Sequence, residues 1–172
     1  MPPLSSLYLQ SLGLSQPKRP GVAQHELERA IDRLSPLDME RAIREGATLH
    51  RPDAQGRSPL NRLLDEAQNN PYHANDLRRL IACVQVAFAQ GASVIDRHPR
   101  TKETALYQAA RWAGHPMATV WWRLWQPRGH WQAAGNPEGK SALEAWRAQA
   151  SPELLTHLPS PSLSTPARRR GP

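Results

Sequence analysis

Seven histidines, one cysteine and fifteen carboxylates are the side chains in this 172-residue chain that could bind a metal or move a proton. The histidines, at 25, 50, 73, 98, 115, 130 and 157, never fall four residues apart, the spacing that sets two ligands on one helix face. Cys83, with His73 or His115 as a base, would be the one candidate nucleophile. It falls among Leu77, Leu80, Ile81, Val84, Ala87 and Phe88, a helical apolar pattern in which a thiol packs as a small hydrophobe and its thiolate is disfavoured. Asp53, Asp65, Glu66 and Glu138 have no partner at a spacing that suggests acid–base work, and they are expected on solvated faces or as loop hydrogen-bonders. No Gly-rich phosphate loop, His-Glu-x-x-His, Gly-x-Ser-x-Gly or calcium loop occurs. The expectation is a non-enzyme with no catalytic residue, no metal and no cofactor.

The elements that would position any site are short. Positions 1–20 and 159–172 hold eight of the 17 prolines and few apolar residues, so both ends are expected to be disordered, around a folded region at 21–158. Leu27, Ala30, Ile31 and Leu34 recur at helical spacing. Pro36 then suits a first helical turn, and Leu37, Met39, Ala42 and Ile43 carry a second helix that Gly46 ends. With 39% apolar residues and a mean hydropathy of −0.65, the chain can build a modest core. A single cysteine excludes an internal disulfide and suits a reducing, cytoplasmic setting. The first twenty residues do not read as a secretory signal, and the apolar stretch at 117–125 is too short to cross a bilayer.

One phrase is written three times. Gly46-Ala47-Thr48-Leu49-His50 leads through Asp53 to Gly56-Arg57-Ser58-Pro59-Leu60. Gly91-Ala92-Ser93-Val94-Ile95-Asp96 leads to Thr104-Ala105-Leu106, and Gly129-His130-Trp131 leads to Gly139-Lys140-Ser141-Ala142-Leu143. From closing glycine to opening leucine the intervals are 14, 15 and 14 residues. Ser58, Thr104 and Ser141 are placed to cap the helices that follow, each cap contributing about 1 kcal/mol.

These residues resemble the ankyrin repeat, in which a hairpin finger leads through Thr-Pro-Leu-His-x-Ala into two antiparallel helices. Ser58-Pro59-Leu60 carries the opening tripeptide. Thr104-Ala105-Leu106-Tyr107-Gln108-Ala109-Ala110-Arg111-Trp112-Ala113-Gly114-His115 matches nearly the whole first helix and its Gly-His turn, where His115 would be a loop hydrogen-bonder. Ser141-Ala142-Leu143-Glu144 is a weaker copy. The opening leucines stand 46 and 37 residues apart, longer than the family period of about 33. The surplus predicts a longer inter-helix loop at 68–75 and a longer outer helix at 121–128. The resemblance implies an all-α, short ankyrin-like solenoid of three to four stacked helix pairs with extended fingers, stabilised by the interfaces between repeats.

It also implies a protein-binding concave surface of fingers and first helices. Carried residue by residue, the contact positions are His50, Arg51, Asp53 and Arg57 in the first finger, Arg97, His98, Arg100 and Lys102 in the second, and Trp131 and Lys140 in the third. Arg62, Gln108, Arg111 and Trp112 join them on the inner helices. All six tryptophans lie between 112 and 146. Met117, Val120, Trp121, Leu124 and Trp125 form an apolar stripe expected in the core, which leaves Trp112, Trp122 and Trp131 as candidate contacts. The expected partner is a protein with an acidic, partly apolar patch, held by occlusion or scaffolding. Two narrower readings stay open: an antidote that blocks a toxin, or an effector secreted without a cleavable signal. The excess of 19 Arg over three Lys suits a GC-rich bacterial source.

The alternative is a nucleic-acid or anionic-membrane accessory using basic tails. The formal charge is +7, from 22 Lys and Arg against 15 Asp and Glu. Lys18 and Arg19 with Arg168, Arg169 and Arg170 supply five of those charges without one acid, leaving +2 on 21–158, an ordinary balance for a protein-binding scaffold.

Overall fold

A computed structural model describes residues 20–70 and 77–159 of the chain. The expected disorder of the two ends, apart from the helix start at Pro20 and from Pro159, and most of the loop expected at 68–75 lie outside those residues. The described chain is all-α: eight helices, two 3₁₀ turns, and two isolated antiparallel bridges, with no β-strand among the described residues. No described helix is long and apolar enough to cross a membrane.

The helices come in pairs. Helix α1 (Pro20–Asp32) buries Ala23, Leu27, Ala30 and Ile31 and is followed by buried Leu34. Helix α2 (Pro36–Arg44) starts with proline in its first turn, where the missing N–H costs nothing, and buries Met39 and Ala42. Leu37, expected on the apolar face, is 75% exposed. Gly46, at φ +104°, donates to Ile43 O while Ala47 donates to Ala42 O, which closes the helix as expected.

Helices α3 (Pro59–Asn69) and α4 (Leu77–Ala89) form the second pair. Helix α3 takes in Gln68 and Asn69, two residues expected in the loop. Helix α5 (Ala105–Gln108) runs into a 3₁₀ turn (Ala109–Trp112), and its partner α6 (Ala118–Trp125) is prolonged by another (Gln126–Arg128). The longer outer helix expected at 121–128 is not formed as such: the helix ends at Trp125 and the residues after it turn into the tighter 3₁₀ form. Helices α7 (Ala142–Gln149) and α8 (Pro152–Leu155) complete the chain.

Contacts order the pairs into two layers. The first helices meet in the sequence α1, α3, α5, α7, and of the second helices α2 packs on α4, α4 on α6 and α6 on α8. Each pair therefore buries its apolar face against the next, and one continuous core results. Its composition changes along the array. Leu27, Leu34, Met39, Leu60, Leu63, Leu64 and Leu80 fill the first half, whereas Trp121, Trp122, Trp125 and Trp146 fill the second.

The indoles correct the expected register of α6. Trp121 and Trp125 are fully buried as expected, but Val120 is 48% exposed and Trp122 only 1%. The buried stripe is Ala118, Trp121, Trp122 and Trp125. The Trp122 ring needs that side because it packs between Trp131 (4.4 Å between centroids) and Trp146 (5.2 Å).

Candidate finger surface

Each finger is a short hairpin ahead of a capped helix. Ser58, Thr104 and Ser141 hydroxyls accept the backbone N–H of Asn61, Tyr107 and Glu144, so all three expected caps form. Ser141 and Glu144 close a full capping box. The backbone bond from Ser141 N–H and the hydroxyl hold the Glu144 carboxyl below its ordinary value.

The three turns are closed by one device built from three different side chains. In the first finger Asp53 Oδ1 accepts the N–H of Gln55 (2.8 Å) and Arg57 (2.9 Å). In the third, Asn136 Oδ1 accepts from Lys140 N–H at 2.8 Å. The second finger is one residue longer, and there His98 Nδ1 accepts from Arg100 and Thr101 N–H, both at 3.2 Å. The proton of this imidazole therefore sits on Nε2, which donates to Asp65 Oδ2 on α3 at 2.8 Å. Arg57 completes the chain of polar contacts, with Nε on Asp53 (2.8 Å) and Nη1 on Asp65 (3.2 Å).

Burial raises the Asp53 carboxyl, and the N–H groups of Arg57 and Gln55 together with the guanidinium outweigh it, so the net shift is downward. Burial opposes the charge on Arg57 as well, and its two carboxylate partners reverse the sign and strengthen its hold on the proton. Fingers also bond to one another. Thr104 N–H donates to Gly135 O at 2.8 Å, and Arg97 reaches Ala134 O at 2.9 Å. That approach needs glycine at 135, since a Cβ there would lie 2.7 Å from the Tyr107 side chain.

These contacts divide the expected surface residues. His98 (2% exposed), Gln108 (1%) and Trp112 (8%) are interior: His98 holds Asp65, Gln108 faces Thr101, and Trp112 packs edge-on to Trp121. Their expected role as partner contacts is corrected to an internal one. Trp122 is corrected likewise. Trp131 is half-buried, its ring on Trp122 and Trp146 and its N–H on Gln126 O.

Four more are engaged within the chain. Asp53 and Arg57 belong to the first turn, and Arg62 is bound to Asp32 and Glu28. Arg111 pairs with Glu103 and Gln68. Arg97, though exposed, spends its guanidinium on carbonyls of two fingers. Lys140 is exposed beside Glu138, and the hydrogen bond to that carboxylate raises its pKa. His50, Arg51, Arg100 and Lys102 remain solvent-facing. Between the first two fingers a cleft of about 330 Å³ is lined by Gln55, Arg57, Asp65, His98, Pro99 and Arg100.

Asp65 is the residue that sequence reasoning misplaced most. It is buried between two basic partners rather than on a solvated face. His115 does what its turn suggested, accepting Met117 N–H on Nδ1 at 3.1 Å. Burial pushes the Cys83 thiol up to about 12, which leaves almost no thiolate at neutral pH. Among the described residues no three His, Cys, Asp or Glu side chains gather as a metal-binding group. No protein-family model and no curated protein matches this chain.

Proposed function

We propose that the chain is an ankyrin-like array that binds another protein through its fingers, without making or breaking a bond. The observation that carries this reading is the row of three hairpins, each closed by its own side-chain acceptor. The second and third are tied through Thr104 and Gly135. Hydrogen bonds within such a row fix its turns without a partner, and preorganised loops lose little entropy on binding. His50, Arg51, Arg100 and Lys102 supply the exposed contacts, and Trp131 with Lys140 continues them on the third finger. An acidic partner surface complements that set. Occlusion or scaffolding is the mode of action, and both a toxin-blocking antidote and a secreted effector would use it.

The test is affinity capture with intact protein beside an Arg51→Glu/Arg100→Glu/Lys102→Glu variant, with partners identified by mass. All three side chains are exposed, so the variant should keep the parent's circular dichroism. Loss of one or more specific partners supports the finger surface, and identical recovery by both proteins refutes it. Partner identity also separates the antidote from the effector.

A further inference from the structure

The balance of +2 on the folded region conceals a segregation. Residues 77–137 carry eight Lys and Arg against two acids, Asp96 and Glu103, both in the second finger. Residues 21–76 carry seven basic and ten acidic residues, and 138–158 carry two and three. Helices α4 and α6, neighbours in the second layer, contain no acidic residue at all. Neither does the 3₁₀ turn that follows α6.

Some of the arginines are engaged within the chain and others are not. On the fingers and first helices, Arg57, Arg62, Arg97 and Arg111 are tied into the fold by ion pairs or carbonyl bonds. On the second layer, Arg78 of α4 and Arg123 of α6 are exposed and make no ion pair or hydrogen bond with a described residue. Arg128 lies over the Phe88 ring at 4.0 Å, linking the C-terminal ends of the two helices. The remaining exposed positions there include Gln85 and Ala89 on α4 and Val120, 48% exposed, on α6. With no carboxylate of a described residue in pairing distance, Arg78 and Arg123 keep their field directed at solvent, where it draws and orients an opposite charge.

We infer that the exposed face of α4 and α6 is a second docking surface, which takes an acidic protein surface through Arg78, Arg123 and Arg128. Charge complementarity selects an anionic occupant. A single-stranded nucleic acid would want aromatic platforms beside the cations, whereas the indoles here are packed against one another in the core. Val120 offers an apolar contact of the kind an acidic protein surface can meet. This surface is separate from the fingers and stands whether or not they bind.

The experiment titrates full-length protein calorimetrically with a synthetic peptide alternating Glu and Leu, and with single-stranded DNA of equal charge. Three proteins are compared: the parent, Arg78→Glu/Arg123→Glu and Arg51→Glu/Arg100→Glu. Peptide affinity should fall about tenfold in the first variant, change less than about twofold in the second, and weaken with added salt. Arg78→Ala/Arg123→Ala, whose shorter side chains disturb the helices less, should show an intermediate loss. The inference is overturned if the parent does not bind the peptide, if the finger variant alone loses it, or if DNA binds more tightly and displaces it. Binding lost only in the finger variant would leave the finger reading standing and remove this one.

Discussion

The first and second halves of this array hold their helix pairs together by different chemistry. Between α3 and the second finger the contacts are directional: Asp65 joins His98 to Arg57, and Asn61 Nδ2 donates to Asp96 O at 3.3 Å. Between α6 and α7 they are aromatic, with Trp122, Trp131 and Trp146 all within 5.8 Å of one another by ring centroid. Hydrogen bonds specify a geometry and penalise departures from it, while stacked rings contribute area and tolerate small rotations. Both carry a cost: among the described residues the buried Nε1 groups of Trp122 and Trp125 have no acceptor, and buried Asn61 Oδ1 on α3 has no donor. The difference shows that stacked helix pairs can meet one packing requirement in two ways within a single chain.

Replacing Trp122 by Ala is the severest way to break that comparison. It removes the ring that Trp131 and Trp146 both touch and should cost about 3–5 kcal/mol, read as a shift in urea midpoint by circular dichroism. If the halves are held separately, amide exchange should quicken in α6 and α7 and stay slow in α1 and α3. Uniform acceleration would mean that the array unfolds as one unit. Asp65→Ala comes next. It leaves Arg57 and His98 without their shared acceptor in a buried place, an expected loss of about 2–3 kcal/mol centred on the first two fingers.

Those two sites also show how much could be read from sequence. The caps Ser58, Thr104 and Ser141, the stop at Gly46 and the buried face of α1 were legible because each is decided within a few residues. The α6 stripe was ambiguous for a different reason. Trp121 and Trp125 suit either register, and the choice rests on Trp131 and Trp146, which approach from the following finger and helix. Asp65 and His98 are 33 residues apart, and Arg62 and Asp32 are 30 apart, so no helical spacing reveals either pair. The finger surface was legible where exposure follows from turn geometry, as at Arg51 and Arg100. It was illegible at Gln108 and Trp112, whose burial depends on neighbouring helix pairs.

Smaller perturbations sharpen the contrast. Ser141→Ala removes one cap in the aromatic half and should cost about 1 kcal/mol at pH 7, a modest midpoint shift. Glu66→Gln should act in the opposite direction by a few tenths of a kcal/mol. Burial, then the charge of Asp32, raises the Glu66 carboxyl in the folded protein, so its ionisation opposes folding. The penalty is full above the raised folded value and absent below the ordinary value of 4.5, because there the group is protonated in both states. Midpoints of variant and parent should therefore differ at pH 7 and converge at pH 3. A gap that persists at pH 3 would mean that Glu66 acts through packing rather than charge.

The confinement of all six tryptophans to 112–146 has an optical consequence. Indole emission reports on its immediate surroundings, and every emitter sits in the third and fourth helix pairs or in the finger between them. The first two pairs contain no indole at all, and their core is aliphatic apart from Phe88. Intrinsic fluorescence would thus follow one half of the molecule and be blind to the other, and a fluorescence melt laid over a far-ultraviolet melt would show whether the two halves come apart together.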